Sequence, residues 1–375
     1  MVRSFALPLL VAALGLAGCD SSTPVEVSSI PAAPPDAEAR RSAAPIMTTF
    51  ARGLNSPRGL TFGPDGYLYV AEGGLGGDLT TTPEQCTQVG EVGPYSGGFT
   101  SRISKIDVHG VRTTVANGLP SSQTSPESGS LVSGVSDVKF VGGQLYAIEA
   151  GAGCSHGLIG TDNELLRVNA NGSTTPIVNL SAFQRAHPVA NPDPGDFEPD
   201  GTWYSMVVVR GDIYAVEPNH GEVDRITTSG GISRLVDMSS EPWWGPTAIA
   251  YHGNFYLGNL GPFPVTPGTE QIRKVTPAGT LTTWADGLTT VLGLAFDARD
   301  RMYALESMTA PGFPGPADIG SGRVVRIDPD GGQAVIATGL SFPTAMTFGP
   351  DRALYVSNFG FGAPAGAGEI VRIEF

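Results

Sequence analysis

The chain has few charged residues and few cysteines or histidines for its length. Only 15% of its 375 residues are charged, and 36 Asp and Glu against 22 Lys and Arg leave a net charge of −14. Nucleic-acid binding needs a basic surface that neutralises phosphates, so this composition excludes nucleic acid as a partner. The three Cys and five His have no zinc-binding spacing, and no Ser or Cys has a nucleophile signature such as G-x-S-x-G. No catalytic set stands out.

Glycine and proline are abundant instead. The chain contains 51 Gly and 31 Pro, together 82 of its 375 residues. Such a composition favours many short strands joined by tight turns over charged helices. Hydrophobic residues make up 41% of the chain, which is enough for a core, and closed all-β folds often reach this length as one domain.

One five-residue motif occurs six times. It consists of an apolar residue, Tyr, two apolar or small residues, and Glu or Asn. The copies are LYVAE at 68–72, LYAIE at 145–149, IYAVE at 213–217, FYLGN at 255–259, MYALE at 302–306 and LYVSN at 354–358. Each copy follows an apolar stretch and a turn, and each precedes a third stretch that ends in a basic and an aliphatic residue. The basic residues are Lys105, Arg167, Arg225, Lys274, Arg326 and Arg372. This periodicity predicts strand-rich repeats.

The last repeat lacks a fourth strand, and the start of the chain supplies one. Five repeats continue into a fourth apolar stretch, but the sixth ends at Phe375. The segment TTFARGL at 48–54 nearly matches the fourth strands TTVANGL at 113–119 and TTWADGL at 282–288. We therefore predict an all-β, six-bladed β-propeller over residues 46–375, closed by an outer strand at residues 47–54 that completes the last blade. An open solenoid would have no use for a permuted strand.

Turn lengths sort the loops onto two faces. The eleven turns between first and second strands and between third and fourth strands are short and rich in Gly, Asp or Asn; they define the tight-turn face. From the motif Tyr to the third-strand basic residue the spacing is 36, 21, 11, 18, 23 and 17 residues. Nearly all length variation therefore lies on the opposite, long-loop face. We expect the functional site on this face, because binding and catalytic residues often lie on loops held by a rigid scaffold.

The last residue of each motif copy is a candidate for ligand binding at the channel mouth. These residues are Glu72, Glu149, Glu217, Asn259, Glu306 and Asn358. One interpretation is a ring that binds a cation or a polyol. The other is structural: each side chain accepts backbone N–H bonds or pairs with a basic residue of the next strand. Repetition in every blade favours the structural interpretation.

An acidic segment breaks the symmetry of the repeats. Asp196, Glu198 and Asp200 place oxygens at alternate positions before Gly201, as in the first half of a calcium loop. The bidentate Glu that would end such a loop is replaced by Val207. A solvated acidic loop is the alternative, so no cofactor is required and calcium is the one metal that the sequence suggests.

Two further sets of residues lie on the predicted long-loop side. Trp243 and Trp244 either form a stacking platform or fill a loop core. Arg58, Asp137 and Tyr204 lie near the start of innermost strands, where a channel ligand is met, although hydrogen bonds between blades would also explain them. The predicted partner is a small molecule or another protein, held at this surface.

Two cysteines outside the N-terminal segment lie in adjacent insertions. Cys86 and Cys154 follow the second strands of blades 1 and 2. Because both are on the same face of an exported protein, we predict a disulfide between them.

The N-terminal segment resembles a bacterial lipoprotein signal. Arg3 precedes an apolar run too short to span a bilayer, and LAGC follows at 16–19. The resemblance implies a signal peptide at residues 1–18 and a lipid on Cys19. Residues 19–45 are rich in Ser, Pro and Ala and predict a lipid-anchored disordered tether. The expected location is the periplasm or the cell surface, with the membrane contacted only through the lipid.

Residues 53–72, 118–121 and 136–138 carry a family resemblance. They read GLNSPRGLTFGPDGYLYVAE, GLPS and SDV, and they are similar to the ScyD/ScyE family of secreted bacterial propellers. The resemblance implies an extracytoplasmic six-bladed propeller and supplies no catalytic residues.

Gluconolactonase-like and strictosidine-synthase-like enzymes are more distantly similar and share the architecture. The gluconolactonase pattern opens a strand with P-N-G, whose Asn binds a divalent metal. The matching second positions here are Arg58, Thr247 and Thr344. The sequence therefore favours a lipid-anchored binding propeller, and a hydrolase of a small lactone or ester is the alternative.

Overall fold

The strands form six antiparallel sheets arranged as blades. The computed structural model describes residues 44–375 apart from positions 91, 196 and 242–244. From the innermost strand outwards, blade 1 has Pro57–Phe62, Leu68–Glu72, Ser96–Ile106 and Arg112–Gln123, and blade 2 has Val135–Val141, Gln144–Glu149, Glu164–Val168 and Thr174–Asn179. Blade 3 has Ser205–Val209, Asp212–Glu217, Glu222–Ile226 and Ile232–Asp237, and blade 4 has Pro246–His252, Asn254–Asn259, Glu270–Val275 and Leu281–Leu288. Blade 5 has Val291–Phe296, Met302–Glu306, Gly322–Ile327 and Gln333–Leu340, and blade 6 has Ala345–Phe348, Leu354–Asn358, Gly368–Glu374 and Ile46–Leu54. The predicted six-bladed β-propeller is confirmed.

Short strands and helices lie on the long-loop face. The strands Leu79–Thr80 and Val132–Ser133 extend the sheet of blade 1. The short helices are an α-helix at Leu180–Ala186 and 3-10 turns at Pro126–Ser128, Cys154–His156 and Pro316–Asp318. Within the described part of the chain, no helix is long and apolar enough to cross a membrane.

The two ends of the chain close the ring. Ile46–Leu54 pairs antiparallel with Gly368–Glu374, so that Ile46 lies opposite Glu374 and Leu54 opposite Gly368. Leu54 is fully buried against the interface with blade 1. Pairing between the termini therefore leaves blade 6 with the same four strands as its neighbours.

Strand register explains the repeated motif. Every motif Tyr lies directly opposite the basic residue of the third strand, in the pairs Tyr69–Lys105, Tyr146–Arg167, Tyr214–Arg225, Tyr256–Lys274, Tyr303–Arg326 and Tyr355–Arg372. A turn Asp joins the pair in several blades: in blade 1, Asp65 accepts from the Tyr69 hydroxyl at 2.9 Å and from Lys105 at 3.2 Å. A cation beside an aromatic ring and a carboxylate is favourable, so the motif fastens the second strand to the third near the tight-turn face.

The hydrophobic core lies between neighbouring blades. One cluster combines Ile148 and Leu165 of blade 2 with Trp203, Met206 and Ile213 at blade 3. Equivalent clusters lie between the other blade pairs. Alternate strand residues therefore face the adjacent sheets, as in other stacked sheets.

The predicted disulfide is confirmed. Cys86 in the blade 1 insertion is bonded to Cys154 in the blade 2 insertion. The bridge joins two long loops that belong to different blades. It therefore constrains the long-loop face rather than the blades themselves.

Deleting residues 47–54 tests the closure. The strand Gly368–Glu374 would lose its partner and the cavity left by Leu54 would open the blade interface, so we expect aggregation or loss of most of the stability. Calorimetry of the truncated protein is the measurement, and a deletion of equal length at residues 28–35 is the control. Cooperative melting of the 47–54 deletion at the intact protein's temperature would contradict the closure.

Candidate functional site

The innermost strands surround a cavity of about 320 Å³ on the propeller axis. The lining runs along the innermost strands from Gly59, Asp137 and Ser205 to Phe296 and Phe348, which are the last residues of their strands. Those ends lead into the turns of the tight-turn face. The cavity therefore occupies the tight-turn half of the channel, and its size suits a small molecule.

An apolar plug closes the long-loop end of the channel. It consists of Leu131, Tyr204, Leu260, Leu292, Met308, Phe342 and Phe361. These residues come from the connections and strands of five blades, and such residues can meet only at the axis. The plug separates the cavity from the long-loop face, where sequence reasoning had placed the site.

Arg58 and Tyr204 meet inside this plug. Arg58 donates to the Tyr204 hydroxyl at 3.2 Å and to the carbonyl of Val132. Its guanidinium carbon lies 5.6 Å from the Tyr204 ring centroid and 5.8 Å from that of Phe361. Burial raises the pKa of Tyr204 while Arg58 lowers it. The pair thus links blades 1 and 3 across the axis with a neutral phenol.

The strand position that holds Arg58 in blade 1 and Tyr204 in blade 3 alternates between small and large residues from blade to blade. In blades 2, 4 and 6 the corresponding residues are Ser136, Thr247 and Thr344. Their hydroxyls donate to backbone carbonyls at the start of the next blade, those of Trp203, Val291 and Pro57 respectively, over 2.6–2.7 Å. In blades 1, 3 and 5 the residue is larger and enters the plug. Thr247 and Thr344 therefore connect blades and do not fit the metal-binding Asn of the gluconolactonase pattern.

Asp137 connects blade 2 to blade 3 beside the cavity. One oxygen accepts from Lys139 Nζ at 2.6 Å and from the Val138 N–H at 2.8 Å, and the other accepts from the Met206 N–H at 2.8 Å. Gly59 makes this possible, because a Cβ there would lie 2.0 Å from Asp137 Oδ1. The Gly of the PRG sequence is thus required by a side chain of the adjacent blade.

Lys139 is the cavity residue that sequence reasoning missed. It lies two positions after Asp137 on the same strand and therefore on the same face. In the other blades the corresponding residues are uncharged: Thr61, Val207, Ala250, Ala295 and Thr347. This contrast was the available signal. The Lys139 side chain is 24% exposed and lines the cavity, with its ammonium group paired to Asp137.

The cavity has a polar side and an apolar side. Asp137, Lys139 and Ser205 provide the polar groups on blades 2 and 3. Blade 4 contributes Ile249, Ala250 and Tyr251, and blade 5 contributes all residues from 292 to 296, so this side is apolar except for the Tyr251 hydroxyl. An amphipathic molecule could place a polar group against the first side and an apolar body against the second.

The Glu and Asn residues of the motif lie away from the cavity lining and are buried near the long-loop end of each blade. Four of them accept a backbone N–H from the connection that precedes their blade: Glu72 from Asn55, Glu217 from Thr202, Glu306 from Thr289 and Asn358 from Ser341, at 2.6–2.8 Å. Asn259 accepts from the Gln271 N–H at 3.1 Å. The first four contacts hold the connections between blades, and the Asn259 contact joins the second and third strands of blade 4.

The partner on the third strand differs between blades. Glu72 pairs with Arg102 and Glu306 with Arg323. Asn259 and Asn358 donate to Glu270 and Glu369. Each of these pairs combines a carboxylate with a donor, so each is compensated.

Blades 2 and 3 bring carboxylates together instead. Burial, and then the nearby Glu164, raise the pKa of Glu149 to about 8. In blade 3, burial and Glu217 raise the pKa of Glu222 to about 7 although Arg234 pairs with it. Burial also raises the pKa of Asp224 well above its usual value. These groups favour the protonated state in the folded protein.

Glu198 and Asp200, two of the calcium candidates, are engaged by protein donors. Asp200 accepts from the backbone N–H and hydroxyl of Ser155 at 2.9 and 2.7 Å and pairs with Arg185 at 2.8 Å. Glu198 accepts from the Tyr95 hydroxyl at 2.7 Å. Within the described ranges, no group of three or more His, Cys, Asp or Glu side chains could hold a metal ion.

A buried polar chain continues from Glu198. His156 Nε2 lies 3.5 Å from Glu198, and His156 Nδ1 lies 2.8 Å from the Ser122 hydroxyl. Burial lowers the pKa of His156 to about 3, so the imidazole is neutral at physiological pH. Ser122 and His156 have no exposed surface. These buried, interacting side chains therefore stabilise the disulfide-linked loops.

Several candidate residues lie outside the described part of the chain. They are Cys19 with the signal peptide and nearly all of the tether, Asp196, Trp243 and Trp244. Their predicted roles stay predictions.

Comparison with known proteins identifies the fold. No family profile and no curated protein matches the chain. A gluconolactonase from Xanthomonas campestris is 13% identical, with a TM-score of 0.53 over 88% of this chain and 89% of that one. A protein from Bacteroides thetaiotaomicron is 11% identical, with a TM-score of 0.55 over 88% and 76%. Regucalcin, a calcium-binding protein from Agrobacterium tumefaciens, is 13% identical, with a TM-score of 0.50 over 86% and 92%. At these identities the likeness concerns the fold, and function depends on the site.

Replacing Glu149 by Gln tests the buried carboxylates. A pKa raised from 4.5 to about 8 on folding means that Glu149 binds more protons in the folded state over this interval, so the contribution of Glu149 to stability is largest below pH 4.5 and falls as the pH rises to 8. We expect E149Q to raise the Tm at pH 8.5 by on the order of 2–4 °C and to flatten its decline between pH 5 and 8.5.

The matched control is E306Q. Glu306 has the same motif position but pairs with Arg323, so its replacement should lower the Tm at pH 8.5. A lower Tm for E149Q than for the unmodified protein at that pH would contradict the account.

Proposed function

We propose that this protein reversibly binds a small amphipathic molecule in the tight-turn half of its channel. The observation that carries the proposal is the 320 Å³ cavity with polar groups on blades 2 and 3 and an apolar wall on blades 4 and 5. Sites of this kind combine a largely apolar lining with a few placed polar groups. A rigid ring keeps such a cavity preformed, which lowers the entropic cost of binding.

Binding suits the cavity better than bond cleavage. Both Asp137 oxygens already accept hydrogen bonds. The lining hydroxyl groups belong to Ser205, Thr347 and Tyr251, and no His or Cys is among the described residues that line the cavity. Nucleophilic catalysis needs a hydroxyl or thiol with an adjacent base that can take its proton, and the carboxylate nearest the Ser205 hydroxyl, that of Asp137 at 3.5 Å, is already paired with Lys139. Hydrolysis of a small lactone or ester, as the name of the Xanthomonas protein indicates for that protein, is therefore the competing proposal.

The proposed setting is the outside of a bacterial cytoplasmic membrane. The LAGC sequence at 16–19 supports cleavage before Cys19 and attachment of a lipid. The disulfide between Cys86 and Cys154 suits an oxidising compartment. The similarity of residues 53–72 to ScyD/ScyE propellers supports the same setting. We propose a tethered propeller that captures its ligand there.

Blocking the channel tests this function. Thr347 lines the cavity, so Thr347→Trp should fill it and weaken binding of the fluorescent probe 8-anilinonaphthalene-1-sulfonate at least about tenfold. Thr48→Trp is the matched control, because Thr48 is exposed on the outer strand of the same blade. Fluorescence titration is the measurement.

Two results would overturn the proposal. One is equal probe affinity of the T347W and T48W variants. The other is turnover of gluconolactone by the purified protein above the rate in buffer, abolished by T347W, which would support the hydrolase.

A further inference from the structure

The charged groups at the channel axis are not balanced. Within the described part of the chain, two cations, Arg58 and Lys139, and one carboxylate, Asp137, occupy the axis. The whole protein carries a net charge of −14. An excess of positive charge at the axis of an acidic protein is unexpected from composition and needs a physical reason.

Arg58 is buried without a counter-ion. Only 8% of the residue is exposed, and its partners are the Tyr204 hydroxyl, the Val132 carbonyl and two aromatic rings. No carboxylate among the described residues forms an ion pair with it. Burying an unpaired cation is costly, because the interior solvates it poorly. The Arg58 guanidinium lies beside Tyr204 and Phe361 of the plug, so its positive charge stands at the closed end of the channel.

The single axial carboxylate, Asp137, is already compensated by protein donors. The two oxygens of Asp137 accept from two backbone N–H groups and from Lys139. The Ser205 hydroxyl also lies 3.5 Å from Oδ2 of Asp137. Hydrogen bonds from several donors spread this negative charge. A cationic ligand would therefore meet a carboxylate whose charge is already paired with Lys139.

Lys139 has donors left for a ligand. An ammonium group has three N–H donors, and its hydrogen bond in the described structure is the one to Asp137. The side chain is partly exposed and lines the cavity. A second acceptor could therefore approach Lys139 from the cavity.

The face onto which the cavity opens carries further cations. The six third-strand basic residues lie opposite the motif Tyr residues toward the tight turns. Turn carboxylates pair with four of them, Lys105, Arg225, Arg326 and Arg372. In addition, Arg210, Arg299 and Arg352 are exposed in the turns between first and second strands. Carboxylates such as Asp297, Asp300 and Asp330 lie in turns of the same face, so charges of both signs surround the channel mouth and the preference for an anion rests on Lys139.

We propose that the channel selects organic anions: molecules with one carboxylate or sulfonate group and an apolar or aromatic body. The anionic group contacts Lys139 in the field of Arg58, and the body lies against blades 4 and 5. This inference rests on the proposed function, since it assigns the ligand class of the same cavity.

Two probes that differ in one group provide the test. N-phenyl-1-naphthylamine has the rings of 8-anilinonaphthalene-1-sulfonate but no sulfonate. We expect the full protein to bind the anionic probe at least about tenfold more tightly, as charge-assisted hydrogen bonds allow. Higher salt should reduce this preference, because screening weakens charge interactions.

Substitutions at Lys139 locate the preference. Lys139→Met should remove most of it by weakening the anionic probe alone, and Lys139→Arg should retain it. Lys105→Met is the matched control, because Lys105 is a partly exposed, Asp-paired lysine outside the cavity, and it should leave both affinities unchanged. If K139M unfolds, the comparison of K139R with the unmodified protein in low and high salt still decides the result.

The outcomes separate the inference from the proposed function. Equal affinities for the two probes, both reduced by T347W, would overturn anion selection and retain channel binding. An anion preference that K139M leaves intact would also overturn the inference. If neither probe is affected by T347W, the channel does not bind them and both proposals are wrong.

Discussion

Hydrogen bonding between the two ends of the described chain is the constraint on which the rest depends. Ile46–Leu54 completes blade 6 beside Gly368–Glu374, and only a closed ring fixes the distance between opposite innermost strands. The Arg58–Tyr204 contact joins blades 1 and 3 across the axis, and the plug draws on five blades. Without closure neither the plug nor the cavity would have a defined shape.

The plug gives the two faces different roles. The long-loop face contains the disulfide-linked loops and the buried Ser122–His156–Glu198 chain, which are structural contacts in the described protein. The cavity lies on the tight-turn side and is lined by strand residues. A site on strands is held more rigidly than a site on loops, which suits selection of a ligand by charge and shape.

Features repeated in the sequence were predictable, because one physical requirement recurs in every blade. The motif Tyr, the third-strand basic residue and the TTFARGL segment all follow from strand pairing, and the register confirms them. Cys86 and Cys154 were predictable because adjacent insertions lie on one face.

The channel site was harder to predict because it depends on residues from different blades. Arg58 and Tyr204 were selected as candidates, but which end of the channel their contact closes depends on the packing of Phe342 and Phe361. The difference between Lys139 and its counterparts in the other blades becomes visible only when the six innermost strands are aligned by register. The compensation of Glu72 and the raised pKa of Glu149 likewise depend on whether the third strand places Arg102 or Glu164 nearby.

The central claim is that an anion binds beside Lys139 in the tight-turn half of the channel. A crystal structure of the protein with 8-anilinonaphthalene-1-sulfonate tests it most directly. The account predicts the sulfonate within hydrogen-bonding distance of Lys139 Nζ and the rings against blades 4 and 5. A probe bound only among the insertions of the long-loop face, with the cavity empty, would contradict it.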